Sequence, residues 1–89
     1  MKIRIINTLP KFDKNWDALS KESQTRALKT IELFRVNPLH PSLRLHRLHG
    51  HLKKYWSISV DLRIRIILRF EGDTAHFFSI GTHAIYEKR

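Results

Sequence analysis

The sequence predicts an α+β domain: an N-terminal strand, two helices, then a mainly antiparallel sheet, in the order β-α-α-β-β-β. Three observations predict it. The chain opens on a short β-branched run, two apolar stripes of helical spacing follow, and the second half alternates at period two around tight-turn residues. A chain of 89 residues is expected to form one domain, residues 1–89. At that size it hides roughly 60–65% of its unfolded surface, enough for one modest core.

Lys2–Asn7 (KIRIIN) is the first strand. Thr8 is placed to cap the first helix, with Pro10 tolerated in its opening turn. Phe12, Trp16 and Leu19 fall at i, i+4 and i+7, one helical face. Ser20 caps the second helix, whose stripe is Ala27, Ile31 and Phe34 with Leu28 beside them. Asn37-Pro38 ends it, because the residue before a proline avoids the helical region. These stripes are expected to pack a core, not to bind a ligand.

His40–Gly50 alternates and is either a strand or an extended loop, with Leu43, Leu45 and His49 on one side and Arg44, His46 and Leu48 on the other. Tyr55–Val60 is a strand. Leu62–Phe70 (LRIRIILRF) is the clearest strand: Leu62, Ile64, Ile66, Leu68 and Phe70 form an apolar face, and Arg63, Arg65, Ile67 and Arg69 the opposite one. Glu71-Gly72-Asp73 is a tight turn, from which Thr74–Gly81 returns antiparallel. The two helices then cover the apolar face of the sheet.

Composition excludes several classes. Apolar residues are 42% and charged residues 28%, with three Gly and three Pro, which excludes a disordered or collagen-like chain. There is no cysteine, hence no disulfide scaffold, thiolate zinc site or cysteine nucleophile. The first residues carry scattered charge and no apolar run of the kind a secretion signal needs. No apolar run approaches the ~20 residues that span a bilayer. A cytoplasmic protein is expected.

Charge gives the first functional clue. Seventeen Lys and Arg against eight Asp and Glu leave a formal net charge of +9. Such a surplus repels itself and costs stability, so a polyanionic partner is expected: RNA, DNA, the ribosome or an acidic protein. The arginine row of the third long strand sharpens this. Solvation alone would be served as well by Thr, Glu or Lys. Arginine adds a planar fork that grips phosphate at two points.

The C-terminal half carries a resemblance. Trp56-Ser57-Ile58, then Arg65-Ile66-Ile67-Leu68-Arg69, Glu71-Gly72-Asp73, and Ile80-Gly81-Thr82-His83 with Tyr86 resemble the RelE/ParE superfamily of bacterial type II toxins. Upstream, His40-Pro41-Ser42-Leu43 and Leu48-His49-Gly50 are similar to the HPSL…L-x-G stretch of many members. The opening strand and two helices match the family layout, so the resemblance covers nearly the whole chain.

That resemblance implies a toxin with an antitoxin partner. RelE-like members cut mRNA, usually at the ribosome and without a metal; ParE-like members poison DNA gyrase. Carried over by position, Arg65 is the strand arginine that contacts the scissile phosphate, with Arg63 and Arg69 as basic neighbours. His83 stands where a post-strand His or Arg stands in several RNases, and Tyr86 where a C-terminal aromatic does. Lys53 and Lys54 match a basic stretch before the strand. His49, His51 and Asp61 are possible upstream counterparts. Ser59 departs from the family, where many members have Arg or Asn. The alternatives to an RNase are a gyrase-directed toxin and a domain that only binds RNA or its antitoxin.

The chemistry is arguable from the residues. RNA supplies its own nucleophile, the 2′-OH; cleavage needs a base, positive charge for the phosphorane and an acid for the leaving oxygen. His83 is expected as acid or base, a role worth about 10²–10⁴-fold, and Arg65 as the charge stabiliser. Tyr86 then stacks or orients, while Lys53, Lys54, Arg63, Arg69, His49 and His51 hold RNA. No metal or other cofactor is expected: His40, His46, His49 and His51 cluster, but no Cys completes a zinc set and acidic ligands are scarce nearby, so extra phosphate contacts or solvated side chains are expected instead. The expected partners are mRNA with the ribosome, and an acidic antitoxin segment that folds on binding.

Overall fold

Ile5–Thr8 forms β1, the edge strand of a five-stranded sheet in a computed structural model that describes residues 1–82. Two helices follow, α1 (Pro10–Asp17) and α2 (Lys21–Val36), then β2 (His46–Arg47), β3 (Trp56–Ser59), β4 (Ile64–Glu71) and β5 (Thr74–Thr82). The strand order is β1-β5-β4-β3-β2; β1 runs parallel to β5, and every other neighbouring pair is antiparallel. The α+β class and the order of elements are as the sequence predicts. The segment left open as strand or loop turns out to be both: two short 3₁₀ turns, Pro41–Leu43 and Gly50–Leu52, flank the two-residue strand β2.

Several boundaries move for local reasons. β1 starts at Ile5, later than Lys2, because the Arg4 and Ile5 N–H groups both donate to the Asp73 carbonyl in the turn next door. The N-cap of α1 is Leu9, not Thr8, with Pro10 in the first turn and no side-chain cap. Ser20 does cap α2, its Oγ accepting from Ser23 N–H at 3.1 Å. The alternation drawn across His40–Gly50 fails after Leu43, because Arg44 adopts the left-handed conformation at φ 50°. Leu48 is consequently buried, while His49 is exposed.

The core lies between the helices and the even-numbered face of β4. Ile64, Ile66, Leu68 and Phe70 point inward, opposite Trp56 and Ile58 of β3 and Ala75, Phe77 and Ile80 of β5. Phe77 meets Phe12 of α1 at 5.5 Å and Phe34 of α2 at 5.8 Å, centroid to centroid. Leu62, expected on the apolar face, is 88% exposed, since the strand begins two residues after it. Leu28 is likewise exposed.

One irregularity sets the parity of β5. Ile67 pairs with Ser79, but Leu68 pairs with Phe77, so Phe78 is a surplus residue, a β-bulge. Its ring lies against Tyr55 at 5.1 Å, and Lys11 Nζ sits 5.1 Å from its centroid. Just past the bulge, Asn15 Oδ1 of α1 accepts the Ile80 N–H. The outer face of the sheet is not uniformly wet: Ser57, Ile67 and Ser79, in register across three strands, are all buried. Among the described residues no helix is long and apolar enough to cross a membrane.

Candidate functional site

The turn between β3 and β4 is organised by one carboxylate. Asp61 Oδ1 accepts the N–H groups of Arg63 at 2.8 Å and Ile64 at 2.7 Å, an aspartate-closed turn. Its other oxygen, Oδ2, accepts Arg26 Nε of α2 at 3.0 Å, and Arg26 Nη2 also donates to Ser23 Oγ. Burial pushes the Asp61 carboxyl up, but the two backbone donors and Arg26 together outweigh it. The carboxyl is held below its ordinary range.

The Asp61 carbonyl in turn accepts Arg65 Nη1, which also donates to the Ile64 carbonyl at 3.2 Å. The Nε and Nη2 edge of the guanidinium has no partner among the described residues. That is the side-on fork which matches two phosphate oxygens. Arg65 lines a cleft of about 360 Å³ with Ser42, Arg44, Ser59, Val60, Asp61 and Leu62. Arg44 lines this cleft from the end of the Pro41–Leu43 turn, which is anchored by buried Leu43 and closes in the left-handed backbone of Arg44. Two cations and two hydroxyls thus surround one hollow, an arrangement suited to an anion the size of a phosphodiester.

The expected arginine row does not line one cleft. Arg63 lies before the strand and lines a separate cleft of about 260 Å³ with Ser20, Ser23, Arg26, Asp61 and Ile64, on the α2 side. Arg69 shares the face of Arg65 but stands four residues along, about 13 Å away at strand rise, with the buried Ser57–Ile67–Ser79 row between them. Its neighbour across the ladder is His76. His76 Nε2 meets Glu71 Oε1 at 2.8 Å and Nδ1 meets Asn7 Nδ2 at 3.0 Å. The His76 hydrogen bond, the His76 charge and Arg69 hold the Glu71 carboxyl below its ordinary value.

The other expected contacts collect at the Arg69 end. Lys53 and Lys54 precede β3, whose first residue pairs with Leu68, while Arg65 sits opposite Ser59 at the far end of β3. Both lysines are exposed, as are His49 and His51 in the Gly50–Leu52 turn region. The Lys53 carbonyl accepts Arg47 Nε at 2.9 Å. His83 and Tyr86 lie outside the described residues. β5 ends at Thr82, and Gly81 pairs with Arg65, so the strand runs out at the Arg65 end.

One imidazole of the histidine cluster is held by the backbone. His46, on the outer face opposite Ser57, has Nδ1 at 2.8 Å from the Arg44 carbonyl. Nδ1 is therefore the donor, and in the neutral ring Nε2 carries the lone pair. His76 differs, with both ring nitrogens engaged. The alternation at residues 40–50 already put His46 beside Arg44; what sequence could not supply was the carbonyl that fixes its tautomer. Among the described residues no three His, Cys, Asp or Glu side chains gather as a metal cluster.

Comparison with known proteins follows the same outline. The profile of the ParE-like toxin domain matches residues 21–88. No curated protein matches. Among solved structures, YafQ from E. coli strain BL21(DE3) is similar with a TM-score of 0.80 at 21% identity, covering 96% of this chain and 99% of its own. The E. coli DinJ-YafQ toxin-antitoxin complex gives 0.75 at 22% identity, covering 92% and 94%. The YoeB/ParE toxin from Agrobacterium tumefaciens gives 0.74 at 13% identity, covering 90% and 99%. At such identities the likeness is one of fold.

Proposed function

The chain belongs to the ParE-like toxin domain family, within the RelE/ParE superfamily, and on that premise we propose that it is the toxin of a type II toxin–antitoxin pair that cleaves mRNA as a metal-independent endoribonuclease. The observation that carries this reading is the Arg65 guanidinium. Two backbone carbonyls hold it by one nitrogen, and its remaining fork lines a cleft shared with Arg44, Ser42 and Ser59.

In the proposed reaction the RNA 2′-oxygen attacks the adjacent phosphorus. The O2′–P bond forms and the P–O5′ bond breaks, leaving a 2′,3′-cyclic phosphate and a 5′-hydroxyl. A base takes the 2′-OH proton and an acid returns one to the leaving oxygen. Arg65 stabilises the phosphorane charge, a role in which one preorganised donor is worth on the order of 10²–10³ in rate. His83 acts as acid or base; the register supports this, since β5 reaches its end beside Arg65. His46, whose Nε2 carries the lone pair in the neutral ring, is a second imidazole on the outer face of the sheet, outside the cleft lining. Tyr86 stacks on a base or orients the phosphate. Lys53, Lys54, His49, His51 and Arg69 steady the strand farther from the cut, and Arg63 does so on the α2 side.

The surplus of +9 calls for an acidic antitoxin, and the solved DinJ-YafQ complex is a structure of a toxin-antitoxin pair of this fold. The setting is the cytoplasm, with mRNA at the ribosome as substrate. A gyrase-directed toxin is the second reading, favoured by the ParE-like profile and by a cleft lined, among the described residues, by no imidazole. Overexpression separates the two. Loss of mRNA with intact plasmid supercoiling, abolished by Arg65→Ala and His83→Ala, is the expected result. DNA breaks with intact mRNA would overturn it.

A further inference from the structure

We propose that Asp61, gripped by Arg26 from α2, is a positioning residue for Arg65: the pair fixes the peptide whose carbonyl holds the guanidinium, and so presets the phosphate-binding fork. This rests on reading Arg65 as the phosphate ligand.

The physical chain is short. Arg65 is a long side chain on an eight-residue strand, next to a turn whose Leu62 is 88% exposed. Left to itself, such a side chain samples many rotamers and loses that freedom on binding. Its Nη1 is instead held by the carbonyls of Asp61 and Ile64. A carbonyl can hold a guanidinium only as firmly as its own peptide is fixed. Two features fix this one. Asp61 Oδ1 closes the turn through the N–H groups of Arg63 and Ile64, and Oδ2 ties the turn to α2 through Arg26 Nε at 3.0 Å.

Arg26 is itself braced by Ser23 Oγ at 3.2 Å, and Ser23 belongs to the first turn of α2, capped by Ser20. The line runs from a helix cap, through an ion pair, to a turn, to the fork. Arg26 lies on the α2-side cleft with Arg63, whereas Arg65 lies on the other, so the two arginines act on opposite sides of one aspartate. Oδ2 of Asp61 binds Arg26, and its main-chain carbonyl binds Arg65. Ordering one rotamer-rich side chain before binding is worth between about twofold and tenfold in affinity.

The test is a double-mutant cycle read by affinity for a short single-stranded RNA oligonucleotide, using the full chain. Arg65→Ala, Arg26→Ala and the double substitution are compared, with thermal unfolding followed in parallel. Arg26→Ala is expected to weaken binding by about twofold to tenfold and to add nothing in the Arg65→Ala background. Arg26→Lys should recover part of the loss. Asp61→Asn keeps an oxygen for the Arg63 and Ile64 N–H groups but removes the charge that Arg26 grips, so it should couple to Arg65 in the same way with the turn intact. Equal effects of Arg26→Ala in both backgrounds, or none in either, would overturn the proposal while leaving Arg65 as ligand. If Arg65→Ala itself does not weaken binding, the reading of the cleft fails first.

Discussion

Arg65 and Arg69 stand four residues apart on one face of β4, yet their surroundings differ in kind. Arg65 is held by backbone carbonyls, which take a hydrogen bond and return no charge. Arg69 stands beside His76 and a Glu71 carboxylate whose ionisation it helps to favour. One guanidinium keeps its full field for a ligand, and the other is partly neutralised where it stands. An arginine row in sequence therefore measures charge per strand, whereas function depends on what each arginine has already been given as a partner.

The comparison is broken most directly by truncating each arginine. Arg65→Ala should lower the initial rate of RNA cleavage by on the order of 10²–10³, while Arg69→Ala should cost only a few-fold; equal losses would show that the two ends act together. A salt titration sharpens the same contrast. Arg65→Ala should reduce the slope of log affinity against log salt by about 0.7, and Arg69→Ala by less.

Stability should divide the two ends as well. Asp61→Ala removes a turn-closing acceptor and the Arg26 pair, for a loss of about 1–2 kcal/mol by denaturant unfolding. Glu71→Ala, at an exposed carboxylate, should leave the unfolding midpoint unchanged. Asp61 also sets an acid dependence. Its folded-state pKa is depressed from about 3.8, so its contribution is complete above that value and is lost as pH falls through the lower, folded-state value. Urea midpoints measured down to that range should fall, and in Arg26→Ala the fall should be smaller and should end at a higher pH. The smallest effect belongs to the other end: in His76→Gln the Glu71 carboxyl should titrate closer to its ordinary value, which a carbon-detected NMR titration reads directly, with cleavage unaffected.

Much of the scaffold was legible because it rests on local rules. Ser20 caps α2, Asn37 closes it, and the even positions of β4 from Ile64 onward face the helices as their spacing requires. The site was legible only in part. Arg65 was singled out by the resemblance rather than by the strand pattern, which offered three arginines alike. The clefts on either side of Asp61 were not, because they depend on a side chain 35 positions away, Arg26, meeting the turn. The separation of Arg63 from Arg65 depends on β4 starting at Ile64, which the alternation of Leu62–Phe70 hides. The tautomer of His46 depends on a left-handed Arg44, a conformation that no residue pattern announces for arginine.

The surplus residue at Phe78 has a consequence for how this chain tolerates change in length. Removing it would give β4 and β5 an unbroken ladder, and by hydrogen bonds alone the protein would look improved. From Ser79 onward each side chain would also keep its layer, Ile80 inside and Ser79 outside, because the remaining pairs already alternate; what would be lost is the Phe78 ring against Tyr55 and beside Lys11. The bulge is thus the place where this strand can shed a residue without exchanging inside for outside at the end that borders the Arg65 cleft.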